Sequence, residues 1–323
     1  MFQFPLWVNA TAARPSSIGE ILDRAIATYV RRLVPLFAIL ALIAIPAGIL
    51  GAYASPSFTH MIETFNRIST LAPSDTIGRA RVMSELNRYA APGGWVALFY
   101  TFELLLYPLA RTALIVFAAQ ALDGAAPTIG AAYRAALQRW LPQLIVAIAF
   151  IGFAIVLGLG FAVSGGLLAL ALFAIGLLSH LLAIGAGVVA GLAAFAALLA
   201  IVALAYIAWL MSSVSVALED GNPIRAIGSG MRRTFDRTLL RRTLGVALAV
   251  VALDVFGSLA ILSFAGLVDY FTRITLLYAV IAASAGILLD GLRTSFVLIY
   301  MRDVQLRREG SDLLVAAAAP ALS

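Results

Sequence analysis

Between Leu141 and Leu218 the chain runs for 78 residues without an acidic side chain or an arginine, and with a single histidine, His180. A helix of a soluble domain keeps a polar face toward water, so no soluble fold can absorb such a stretch. Crossing the hydrocarbon core of a bilayer takes about 20 apolar residues. The block therefore holds at least two crossings, and further apolar runs flank it. With 63% hydrophobic and 12% charged residues and a mean hydropathy of +1.01, the 323-residue chain reads as an all-α, polytopic membrane protein.

Residue usage removes several chemistries. Cysteine is absent, which excludes disulfides, thiolate metal sites and cysteine nucleophiles. All 22 basic residues are arginine, so no lysine can form a Schiff base or act as an amine nucleophile. The formal charge of +6 does not point to nucleic acid, because the arginines sit in short segments beside hydrophobic runs. No phosphate loop, dinucleotide fingerprint or nucleic-acid platform is present. His60 and His180 cannot build a zinc-type cluster between them. The expectation is no cofactor, no metal and no catalysis. Ala162-Val163-Ser164-Gly165 is faintly similar to an intramembrane serine protease motif, but lacks its leading glycine; Ser164 reads as a helix-end or loop residue.

Apolar runs at Val34–Tyr53, Gly94–Leu122, Thr243–Val268 and Ile274–Met301 supply four crossings, and the long block supplies two more. That block divides near Ser164-Gly165-Gly166 or near Gly176 to His180. The polar stretch Ala54–Gly93 reads as one or two short surface helices broken at Pro73. Fifteen arginines lie before Val34, between Asp123 and Pro142, between Glu219 and Arg242, or after Tyr300. The positive-inside tendency makes these segments cytoplasmic, which places both termini inside and requires an even number of crossings, six. Residues 1–13 lack a charged n-region and a cleavage site, so no removable signal peptide is expected there. They read as a flexible tail, as do residues 311–323, around a six-helix membrane domain at 14–310.

Three segments echo one another: Pro15 with Ile18-Gly19 and LDRAIATYVRRLVP; Pro127 with Ile129-Gly130 and AAYRAALQRWLP; Pro223 with Ile227-Gly228 and MRRTFDRTLLRR. Each proline can open a helix, and a basic amphipathic helix lies along the interface among anionic head groups. The reading is three helical hairpins, at 14–122, 123–220 and 221–310, each preceded by a cytoplasmic interfacial amphipathic helix. Arg31, Arg32, Arg134, Arg139, Arg232, Arg233, Arg237, Arg241 and Arg242 are the candidate contacts to anionic membrane lipids. A protein partner or a homo-oligomer is also open.

RPSSIGEILDRAIATYVRRLVPLF (Arg14 to Phe37) resembles the N-terminal signature of a bacterial integral-membrane family named after the membrane domain of glycerophosphodiester phosphodiesterases. Tyr107 to Pro142 is similar to that family's second-helix exit and following interfacial helix, and Leu218 to Phe235 to its third such segment. RDVQLRREGSD, Arg302 to Asp312, resembles its closing signature, which usually has an aromatic at Arg302 and an arginine at Gln305. The resemblance covers nearly the whole chain. It implies six membrane helices in the bacterial inner membrane and no catalysis, since the phosphodiesterase domain is a separate soluble barrel.

Ionisable groups inside a membrane are costly and mark candidate functional sites. Five fall within the spans: Glu103, Arg111, Asp254, Asp290 and Arg293. At ~1.5 Å per residue, Asp254 lies near mid-span, Arg111 and Asp290 about 5–6 Å toward the cytoplasm, and Arg293 about 9 Å. These depths let Arg111 pair with Asp290 and Arg293 with Asp254. Glu103, about 6 Å to the outer side, is the acid left without a cation. Two functions follow, a non-catalytic scaffold or lipid- or partner-binding protein and a transporter or channel using the charged layer. A third is the membrane subunit of an enzyme whose catalytic domain is another chain. A sealed, paired cluster favours the scaffold; a cavity reaching the charges favours transport.

Overall fold

The computed structural model describes residues 17–70, 75–90, 93–219 and 221–318. Every regular element among them is helical. The order is α1 (Ile18–Arg31), α2 (Leu33–Thr70), α3 (Thr76–Ala90), α4 (Gly93–Thr101), a π-helical segment (Phe102–Leu106), α5 (Tyr107–Leu122), α6 (Ile129–Leu178), α7 (His180–Leu218), α8 (Pro223–Thr234), α9 (Leu240–Thr272) and α10 (Thr275–Ala318). Among the described residues six stretches are long and apolar enough to cross a bilayer: Leu33–Ala52, Val96–Leu122, Ile129–Gly176, Ile184–Leu218, Leu240–Thr272 and Leu276–Arg307. This is a multi-pass, all-helical membrane protein.

The long apolar block divides at Ser179, the second of the two expected places, and Ser164 lies inside α6 with its hydroxyl donating to the Gly160 carbonyl at 2.7 Å. A serine that satisfies itself on the preceding turn does not end a helix. Other boundaries differ from the sequence expectation. The first apolar span ends at Ala52, beside the expected Tyr53, but its helix α2 continues to Thr70. The polar stretch is thus the last turns of α2 followed by α3, and Pro73 lies outside the described residues. The segment ahead of the third span is not set off as its own helix. Pro142 sits inside α6, which runs unbroken for 50 residues. At its other end α10 carries on to Ala318, through Leu313 to Ala318, whose Leu and Ala content favours helix. Residues 311–318 are therefore helix, and the expected tail at 1–13 lies outside the described residues.

The helix starts follow local chemistry. Ser17 and Glu20 form a reciprocal capping box, with the Ser17 N–H donating to Glu20 Oε2 at 2.8 Å and the Glu20 N–H to Ser17 Oγ at 3.2 Å. Asn222 caps α8 by accepting from the N–H groups of Ile224 and Arg225, one residue ahead of Pro223.

Two compact units divide the chain. One comprises the described residues within 1–22, 139–252 and 297–323. In it α8 packs on α7 around Val146, Phe150, Ala208, Val216 and Ala226. Gly230 permits that approach, since a Cβ there would collide with the Ser212 side chain and the Ala208 carbonyl. The other unit comprises residues 23–138 and 253–296, and α5 is its most enclosed element: every residue from Ala110 to Ala119 is buried. There α2 comes close to α10 at Gly48, where a Cβ would stand 2.7 Å from Ala283 Cβ.

Candidate functional site

The π-helical segment has a covalent cause. Pro108 has no N–H to give to the Leu104 carbonyl, and the Tyr107 N–H reaches back five residues to the Phe102 carbonyl. The wider turn carries Glu103 and delivers Tyr107 at the start of α5. Single π turns inside α-helices occur often at functional sites.

Tyr107 donates its hydroxyl to Asp290 Oδ2 at 2.6 Å. Asp290, fully buried on α10, accepts on its other oxygen from Arg293 Nε at 3.0 Å and also from Arg293 Nη2. Arg293 then turns its Nη1 to both oxygens of Asp254 on α9, at 2.9 and 2.7 Å. One guanidinium therefore holds two carboxylates from two spans, in the forked geometry that arginine supports and lysine does not. Arg111 is buried on α5, and its charge acts on Asp290 and Tyr107. The sequence assignment of Arg293 to Asp254 describes half of what the structure contains, because Arg293 holds Asp290 as well.

These groups border a cleft of about 590 Å³. Glu103 and Tyr107 face it from one side, Asp254, Val255 and Ser258 from α9, and Ala283, Gly286, Ile287, Leu289 and Arg293 from α10. On α2 the wall is Ala44 and Gly48, so small residues leave the room. Glu103 makes no hydrogen bond or ion pair among the described residues, though the Asp290 charge acts on it. No group of three or more potential metal ligands occurs among the described residues.

Sequence reasoning did not find Tyr107 or Ser258. Tyr107 carried a signal: it follows Glu103 by four residues and stands directly before a mid-span proline. Ser258 carried only the spacing, four residues after Asp254, and a lone serine in a span is common enough to pass unnoticed.

The candidate lipid contacts separate into two sets. Arg31, Arg32, Arg134, Arg232, Arg237 and Arg241 are exposed. Three others are held by the protein itself. Arg139 donates to the Val216 carbonyl at 2.7 Å. Arg233 grips both oxygens of Glu219 at 2.9 and 2.8 Å and also reaches Ser215. Arg242 pairs with Asp303 at 2.9 Å, where Arg307 pairs too. Glu219 accepts in addition from Gln305 Nε2 at 2.6 Å. Glu219 and Asp303 supply counter-charges that a count of arginines overlooks. Comparison with known proteins gives no match to any family model, curated protein or solved structure.

Proposed function

We propose that this chain is a non-catalytic protein of the bacterial inner membrane that binds, and passes across the bilayer, a polar ligand at the cleft beside Glu103, Asp254 and Arg293. One observation carries this reading: a cavity of ligand-binding size reaches the charged layer inside the spans. A network that served packing alone would need no void beside it, since empty space among helices forfeits contacts. The absence of cysteine supplies the test. Ser258→Cys should react with a membrane-impermeant maleimide in sealed vesicles, while Leu262→Cys, one turn away on α9, should not. Equal silence at both positions overturns the reading.

A scaffold or partner-binding role is the second reading, favoured by the saturated pairing of Asp290 with Tyr107 and Arg293. The same proposal takes the three hairpin units, the cytoplasmic termini and kinship with the phosphodiesterase-associated membrane family. The arginine bias supports the orientation; reporter fusions at Ser323 and Pro73 should place them on opposite sides. An interfacial α1 is supported by its exposed ridge Ile18, Leu22, Ile26 and Val30, four residues apart, which suits immersion among acyl chains. The exposed arginines are proposed to hold anionic lipid.

A further inference from the structure

We infer that the cleft receives a monovalent organic cation, whose positive charge takes the place of the proton on Glu103. This deepens the reading above and rests on it.

Charge balance comes first. Three carboxyl groups, Glu103, Asp254 and Asp290, meet two guanidinium groups, Arg111 and Arg293, leaving one negative charge without a counterpart if all are ionised. Asp254 and Asp290 are both held by Arg293. The unmatched carboxyl is Glu103, which borders the cleft without an ion pair among the described residues. Around it, α5 contributes Tyr107, whose hydroxyl is committed to Asp290; α9 contributes Asp254; α10 contributes Asp290 and Arg293, and the charge of Arg111 acts on Asp290. The α2 wall, Ala44 and Gly48, brings no charge. In a low-dielectric site a carboxyl with no counter-charge holds a proton or a cation.

Anions are poorly served. Nε, Nη1 and Nη2 of Arg293 all donate to carboxylates, so an incoming anion would meet a cation whose charge Asp254 and Asp290 already offset. Inorganic cations are poorly served too, for want of clustered ligands among the described residues. A volume near 590 Å³ is far larger than a desiccated metal ion and falls in the range of organic ligands. Val255, Ile287 and Leu289 offer apolar surface to a hydrocarbon body. Binding then exchanges one ion for another: protonated Glu103 and the cation give the carboxylate–cation pair and one proton released to water.

The test is calorimetric titration of tetraphenylphosphonium into the full chain in maltoside micelles, in two buffers of different ionisation enthalpy. Saturable binding with about one proton released is expected. Glu103→Gln should bind at least roughly tenfold more weakly and release no proton, as loss of a charged contact predicts. Glu103→Asp should retain the proton release. Equal affinity of the wild type and Glu103→Gln, or no saturable binding, overturns the inference. Labelling of Ser258→Cys alongside absent cation binding would overturn this inference and leave the broader reading standing. The cationic group comes either from a free organic cation or from a lipid head group. Added phosphatidylethanolamine competes in the second case and not in the first.

Discussion

In the unit that holds the cleft, Arg293 is enclosed within a span by Asp254 and Asp290, whereas in the other unit Arg233, Arg242 and Arg307 meet Glu219 and Asp303 where spans begin or end. The bond lengths are alike. What differs is what can replace a lost partner. At a span's end, water and lipid head groups can solvate an orphaned guanidinium, and a long arginine side chain can snorkel to them. Deep in a span the pairing is centred on Asp290, which is fully buried and does not line the cleft, so the desolvation cost of a stranded charge falls on the fold. The same pairing is therefore a structural necessity in one place and an adjustable contact in the other.

The largest expected effect is that of Asp290→Asn, which leaves a buried arginine short of its counter-charge and weakens the acceptor of Tyr107. Loss of about 3–5 kcal/mol is expected, seen as a large fall in melting temperature in detergent. Asp303→Asn should cost less, about 1–2 kcal/mol, because Arg242 and Arg307 sit where head groups can reach them. Similar melting temperatures for these two variants would erase the distinction between the regions. Next comes lipid retention. Replacing the exposed Arg232, Arg237 and Arg241 by glutamine should strip anionic lipid at roughly 1 kcal/mol per arginine in native mass spectrometry, whereas Arg233→Gln should leave lipid retention almost unchanged. Smallest of all is Glu103→Gln, with stability within about 0.5 kcal/mol of wild type. A substantial destabilisation by that change would mean that Glu103 has a structural partner and that the cleft is part of the packing.

Much of the fold was legible because hydrophobic length is a sum over many residues, and no single misreading changes it. The six spans follow from that sum. The Asp290–Arg293 spacing of three residues likewise announced a shared helix face. Other features depend on one atom or on a distant partner. Helix α2 continues past Tyr53 although its sequence turns polar and is rich in Ser and Thr, which are weak helix formers, so local propensity gives no sign of the extension. The joining of Arg233 to Glu219 and of Arg242 to Asp303 spans 14 and 61 residues, beyond any local pattern. Tyr107 entered the site through the missing N–H of its neighbour Pro108, a defect of one hydrogen that composition and periodicity do not register.

That defect makes the site depend on chain length as well as on side-chain identity. An α-helix turns each residue by about 100°, so a single added or removed residue between Glu103 and Tyr107 swings everything before it through more than a quarter of a revolution. The π turn absorbs one such extra residue. Deleting Leu105 would keep the apolar composition and the span while rotating Glu103 away from the cleft that Tyr107 continues to face. Among chains of the same hydrophobic pattern, those able to hold a charge here would then be distinguished by a register offset of one residue, with every substituted position left identical.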